Sequence, residues 1–180
     1  MKKIAKIASA AVATLLTANA PVHAASRSDG TVAFTSDNHV VAENRTRSLA
    51  ERGDAQAQAL LGFMYEHGRA VAQNYDAAVY WYSCAAEQGH PTAQYLLGLM
   101  YDKGHGVVRN NVLAYKWLNL AATHASPGLR EYYLRIRDAV AAKLAAKQVA
   151  ESQRLASSFV PATNDCTGRE NDRTRNLLRQ

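Results

Sequence analysis

Residues 53–88 read GDAQAQALLGFMYEHGRAVAQNYDAAVYWYSCAAEQ, and residues 89–124 read GHPTAQYLLGLMYDKGHGVVRNNVLAYKWLNLAATH. Set one above the other without a gap, they agree at 15 of 36 positions, where about two agreements arise by chance at ordinary residue frequencies. The agreements include Gly53/Gly89, Gln58/Gln94, Leu61/Leu97, Gly62/Gly98, Tyr65/Tyr101, Gly68/Gly104, Asn74/Asn110, Ala78/Ala114 and Trp81/Trp117. Self-similarity at such a period marks stacked helical hairpins, each burying its apolar face against its neighbour. A stack of that kind builds a surface, so it points to binding.

Each copy resolves into two helices. In the first copy Ala57, Leu61, Met64 and Tyr65 fall at i, i+4, i+7 and i+8, an apolar stripe over 54–67. Asp54 is placed to cap that helix and Gly68 to end it in the left-handed conformation. Ala78, Trp81, Tyr82 and Ala85 mark a second stripe over 75–88, with Asn74 as cap and Gly89 as stop. The second copy repeats the scheme, His90 and Pro91 opening one helix and Asn110 the next; Pro91 suits a first helical turn, which needs no amide hydrogen there. Gly62, Gly98, Ala78 and Ala114 let paired helices approach closely, with Trp81 and Trp117 expected to fill the space beside them.

Two hairpins leave both ends of the stack uncovered, and about three units are usual for stability. The flanks are expected to supply caps. Residues 37–52 read as an N-terminal cap helix with Val40, Val41 and Leu49 available to pack and Gly53 ending it. Residues 126–160 read as C-terminal cap helices opened by Ser126 and Pro127, with a stripe of Leu129, Tyr133, Ile136, Val140 and Leu144 that loses register around 145–148, where a break is expected. Residues 25–36 and 161–180 read as disordered segments.

Residues 1–24 read as an export signal: Lys2, Lys3 and Lys6 precede a short apolar run at 7–20, and Val22-His23-Ala24 suits cleavage after Ala24. The run is too short to span a bilayer, no cysteine sits beside the cut to carry a lipid anchor, and a periplasmic or secreted location without a stable membrane anchor is the expectation. Removing three of the 21 Lys and Arg leaves 18 basic against 15 acidic residues. The surplus lies on a segment of mixed sign, Arg130, Arg135, Arg137, Lys143, Lys147 and Arg154 beside Glu131, Asp138 and Glu151, and not on the one-sided stripe that nucleic acid requires. Cys84 and Cys166 are the only cysteines. An even count in an oxidising compartment allows a bridge that closes a loop of about 80 residues and contributes roughly 4 kcal/mol on the loop-entropy account; two separate thiols are the open alternative.

The pattern Ala57-Gln58, Leu61-Gly62, Met64-Tyr65, Gly68, Val71, Asn74, Ala78, Trp81, Ala85-Ala86 and Gly89 resembles the Sel1-like repeat, a relative of the tetratricopeptide repeat, whose period is 34 residues. The resemblance implies an all-α fold: a right-handed α/α solenoid of two helix-turn-helix repeats, 53–88 and 89–124, with flanking cap helices. The second copy matches the Sel1-like loop at Gly104-His105-Gly106-Val107; the first has Ala70 where that family favours glycine, which implies a differently bent loop. Such proteins are implied to be adaptors or regulators that bind another protein or peptide, without a cofactor. By analogy with the tetratricopeptide groove, the first helix of each pair faces the partner through Gln56, Ala59, Phe63, Glu66 and His67, then Thr92, Tyr95, Leu99, Asp102 and Lys103, with Phe63, Tyr95 and Leu99 as apolar anchors. The alternative is that these three pack against the cap helices.

Catalysis finds little support in the sequence. There is no S-x-x-K, G-x-S-x-G or H-E-x-x-H arrangement, and His67, His90, His105 and His124 are scattered, none paired at i+3 or i+4, so no metal site is expected. The resemblance nevertheless implies an alternative function, a cysteine-containing Sel1-like protein that binds or weakly hydrolyses β-lactams; this chain lacks that group's bridge inside each repeat. Self-association through an end face is a third possibility.

Overall fold

In a computed structural model of the chain, residues 36–162 and 166 are described, with side chains from residue 43 onward; the expectations for 1–24, 25–35 and 167–180 and the side chains of Val40 and Val41 lie outside these. Seven helices and no strand occur among the described residues: α1 (Ser36–Glu51), α2 (Ala55–His67), α3 (Tyr75–Glu87), α4 (Pro91–Lys103), α5 (Asn111–His124), α6 (Pro127–Ala141) and α7 (Ala146–Ser157). Consecutive helices from α1 to α6 pack on one another, and α7 packs on α5. The architecture is an all-α helical repeat solenoid. None of the described helices is long and apolar enough to cross a membrane.

The side chains at the helix starts act as the repeat predicts. Asp54 accepts a hydrogen bond from the Ala57 amide at 2.7 Å, and Asn74 from the Ala77 amide at 3.0 Å. Asn110 accepts from both Val112 and Leu113, and the His90 ring nitrogen Nδ1 accepts from the Ala93 amide at 3.2 Å. Each of these satisfies an amide that the first turn leaves without a partner. Gly68 and Gly104 end α2 and α4 in the left-handed region, at φ 64° and 74°.

Within each repeat the two helices meet at a glycine. A Cβ added at Gly62 would lie 2.7 Å from the Tyr82 ring and 3.2 Å from the Ala78 carbonyl; one added at Gly98 would lie 2.8 Å from Leu118 and 3.2 Å from the Ala114 carbonyl. The groups filling this space are therefore Tyr82 and Leu118, one position beyond the expected tryptophans. Trp81 instead joins Ala50, Ala57, Leu61 and Met64 in the core cluster between α1, α2 and α3.

Gln58 and Gln94 are fully buried, and they stitch successive units together. Gln58 Nε2 donates to the Ala50 carbonyl of α1 at 3.1 Å, and Gln94 Nε2 donates to the Ala86 carbonyl of α3 at 3.1 Å. Their amide oxygens face the end of their own repeat, Gln58 accepting from Gln88 at 2.7 Å and Gln94 lying 3.2 Å from His124 Nδ1. A buried amide left without such partners would cost about 1–3 kcal/mol. The paired bonds also show what α1 is: Ala50 and Gly53 stand where Ala86 and Gly89 stand one repeat later, with Gly53 and Gly89 at φ 91° and 88°. The N-terminal cap occupies the place of a second helix from a preceding repeat.

Three expectations change. The loop around Ala70 is not bent differently, since Ala70 takes φ 62° where Gly106 takes 65°; matched bonds from Asn74 to the Tyr65 carbonyl and from Asn110 to the Tyr101 carbonyl, both 2.9 Å, hold the two loops alike. Ala70 is exposed, so its methyl meets no neighbour that forbids the conformation. The break between the C-terminal helices falls at 142–145, ahead of 145–148, and Gln148 sits inside α7, its side chain accepting from the Ala145 amide at 2.9 Å. Finally, the segment after α7 is docked at 161, 162 and 166 and is not uniformly disordered from residue 161, because its backbone and Cys166 find partners on α3.

Those partners form a strap. Phe159 stands edge-on to Trp117 with ring centroids 5.7 Å apart. The Ala162 amide donates to the Glu87 carbonyl at 2.8 Å, extending the chain past the end of α3. Cys166 is bonded to Cys84 through a disulfide with Cα atoms 5.7 Å apart, and the Tyr80 hydroxyl donates to the Cys166 carbonyl at 2.6 Å. Both cysteines are buried.

Candidate interaction surface

The residues expected to face a partner lie on α2 and α4, and the structure divides them. Gln56, His67 and Lys103 are exposed; Glu66, Thr92, Leu99 and Asp102 are half-buried; Ala59, Phe63 and Tyr95 are buried. Two of the three expected apolar anchors are thus already occupied from within the chain. Tyr95 stacks on Tyr133 of α6, with centroids 4.5 Å apart and planes 12° from parallel, and its hydroxyl lies 3.0 Å from that of Tyr132. It packs against the C-terminal cap, the alternative left open by the sequence, because α6 follows α5 closely enough to cover this part of α4. Phe63 is covered by neighbours of its own repeat, the His67 ring at 4.1 Å and the Arg69 guanidinium at 5.2 Å from its centroid.

Polar groups on the same face are tied to particular partners. Glu66 accepts from the hydroxyl of Tyr82 at 2.7 Å. Burial pushes the Tyr82 hydroxyl well above its ordinary range, and the adjacent Glu66 carboxylate adds to the effect; the hydroxyl is a donor at any physiological pH. Burial likewise raises Tyr95, reinforced by its bond to Tyr132. Asp102 is paired with Lys143 of the α6–α7 turn at 2.6 Å, so its carboxylate helps seat the C-terminal cap. What remains open to solvent is Gln56, His67, Lys103, the half-buried Leu99 and the edges of Glu66 and Thr92. This is a polar surface with one apolar contact, able to form hydrogen bonds and to bury one side chain.

Sequence reasoning passed over the glutamines that set the spacing of this face, although Gln58/Gln94 is among the identities between the copies; a polar residue repeated in an apolar stripe is the signal. Among the described residues no group of three or more His, Cys, Asp or Glu side chains is placed to hold a metal ion.

The comparisons agree with this geometry. The Sel1 repeat model matches residues 55–90 and 91–126, a frame two residues later than that of the self-alignment. Among solved structures, the chain is similar to a protective antigen present in uropathogenic Escherichia coli strains and displaying an SLR fold, at 29% identity and TM-score 0.65 over 77% of this chain and 29% of that one. It thus spans 29% of that antigen's length. A Sel1 repeat protein from Oxalobacter formigenes is 39% identical over 51% of this chain and 69% of its own, with TM-score 0.48. No curated protein matches. Sel1 repeats are generally protein-interaction modules and typically non-catalytic scaffolds. With two matched repeats joined by the same buried-glutamine bonds, and an SLR-fold neighbour across most of its length, the chain belongs to the Sel1 repeat family.

Proposed function

We propose that this protein is an adaptor or regulator of the cell envelope, exported by the leader at 1–24, which captures another protein or peptide on the open face of α2 and α4. The observation that supports this reading is where the two copies diverge. The frame residues agree, whereas every open position of the face differs: Gln56 against Thr92, Glu66 against Asp102, His67 against Lys103, and the covered Phe63 against the half-open Leu99. Two identical frames thus present different chemistry side by side, which suits recognition of an asymmetric ligand.

The test is cross-linking capture from an envelope extract with the full, oxidised chain and its Leu99→Arg and Lys103→Glu variants. Loss of one defined partner in both variants, with unchanged melting temperature, is the expected result; capture indifferent to both sinks the proposal. Tyr95→Ala is unsuited to this purpose, because emptying its buried site costs about 3–5 kcal/mol. Turnover of a chromogenic β-lactam by the same preparation would favour the hydrolytic alternative.

A further inference from the structure

Away from the α2/α4 face, a shallow groove of about 350 Å³ runs between α5 and α6. Asn119, Ala122 and Thr123 of α5 form one wall, and Arg130, Leu134 and Arg137 of α6 form the other. Arg130, Leu134 and Arg137 follow one another at i, i+4 and i+7, so they share one stripe of the helix, and the two guanidinium-bearing residues stand about 10 Å apart along its axis. Buried Ala122 and half-buried Leu134 supply an apolar floor between them.

The two arginines are not equivalent. Arg137 donates to the Asn119 side-chain oxygen at 3.0 Å, shares the Asp138 carboxylate at 2.7 Å, and lies over the Tyr115 ring at 5.7 Å. It is held in position and partly neutralised. Arg130 is exposed and takes part in no ion pair among the described residues. Because the Asn119 oxygen is already used by Arg137, its amide hydrogens are the groups left for a ligand, and the groove therefore offers donors and cations in excess of acceptors.

We propose that this groove binds an acidic peptide segment in extended form, one carboxylate on Arg130, a second beside Arg137 and Asn119, and an apolar side chain on the floor between. In the polyproline II form of an extended chain, with three residues per turn, carboxylates on residues i and i+3 lie on the same side about 9 Å apart, matching the arginine spacing. Charge complementarity selects this occupant over the chain's own C-terminal residues: 167–180 hold four arginines against one Glu and one Asp. A guanidinium exposed beside an apolar floor recognises carboxylate through charge-assisted hydrogen bonds while the floor excludes water. The residues are distinct from those of the α2/α4 face, so either proposal can fail while the other stands.

The experiment is fluorescence anisotropy of a labelled Gly-Glu-Ala-Leu-Glu-Gly peptide on the full, oxidised chain, beside the same peptide with both Glu replaced by Gln. The glutamate peptide is expected to bind at least tenfold more tightly than the glutamine peptide, and to weaken several-fold between low and moderate salt. Arg130→Glu is expected to remove most of that binding without moving the melting temperature, and Arg130→Lys to keep a large part of it. Equal affinity for the two peptides, wild-type affinity in Arg130→Glu, or no binding at millimolar peptide overturns the proposal. So does sedimentation showing that Arg130→Glu turns a dimer into a monomer, which would make the groove a contact between copies.

Discussion

In the first repeat, a buried tyrosine fills the space beside Gly62 and its hydroxyl reaches Glu66; in the second, Leu118 fills the equivalent space beside Gly98 with no polar group at all. The first repeat opens on Asp54, whose carboxyl group caps the helix, and the second on His90, which caps only while its Nδ1 is unprotonated. The first carries a cysteine at 84 where the second has Leu120. The first is flanked by α1, standing in for half a repeat, and fastened by the strap; the second is covered by α6, the α6–α7 turn and α7 through Tyr95–Tyr133, Asp102–Lys143 and Tyr115–Gln153. Equal frames can therefore be secured by different means: the first copy by a covalent bond from a distant segment, the second by packing of the helices that follow it.

The largest expected effect separates those means. Replacing both cysteines, Cys84→Ala with Cys166→Ala, should lower the unfolding free energy by about 4 kcal/mol, the loop-closure contribution of a bridge spanning 82 residues. Urea unfolding of the oxidised chain beside the double variant measures it, and a difference under about 1 kcal/mol would mean that the strap leaves the first repeat's stability untouched.

A smaller contrast concerns the loops. Gly106 combines φ 65° with close approach, an added Cβ meeting the Tyr75 backbone closer than any real Cβ contact. Gly106→Ala should cost about 2–3 kcal/mol, one to two from the left-handed backbone and the rest from displacing the start of α3. Ala70→Gly should instead stabilise by up to about 1 kcal/mol, relief of the same conformation offset by the freedom glycine adds to the unfolded chain. Effects of equal sign at the two sites would abolish the distinction between an outer loop and one buried against its neighbour.

The smallest effect is a pH dependence confined to the second repeat's cap. Burial holds His90 below the ordinary histidine value of 6.5, an effect only partly opposed by Asp54. The unfolded chain then binds the proton more readily than the folded one, so the stability tied to this group is complete above 6.5 and declines as the pH falls through it. His90→Asn, which caps without titrating, should lose less stability than the parent when the pH is lowered from about 7.5 to about 5.5. Parallel losses in thermal melts of the two proteins would refute the assignment.

Elements governed by local chemistry could be read from the sequence. Asp54, Asn74 and Asn110 cap because a short polar side chain before an apolar stripe has an unpaired amide within reach, and Gly68 and Gly104 stop helices because only a residue without Cβ adopts positive φ freely. Matters decided by distant contacts were less legible. Tyr95 had the position of a groove residue, yet Tyr133, 38 residues on, turned it into core. The family's preference for glycine at position 70 suggested a changed loop, yet nothing crowds the Ala70 methyl, so only a modest conformational cost stood against the shared geometry. Of the candidate surface, sequence identified the helices and the positions; which side chains stay open was settled by where α6 and Lys143 come to rest.

One consequence of the strap is mechanical. The bond between Cys84 and Cys166 connects the segment beyond α7 directly to α3. Tension applied at the C-terminus of the oxidised chain therefore passes from Cys166 to Cys84 and bypasses α4, α5, α6 and α7, whose 82-residue span corresponds to about 290 Å of extended chain kept out of the load path. The second repeat and both C-terminal helices hang as an unloaded loop, so a partner bound there would be held on a part of the molecule that pulling does not stretch. Among the described helices, only α1, α2 and most of α3, which precede Cys84, bear the force.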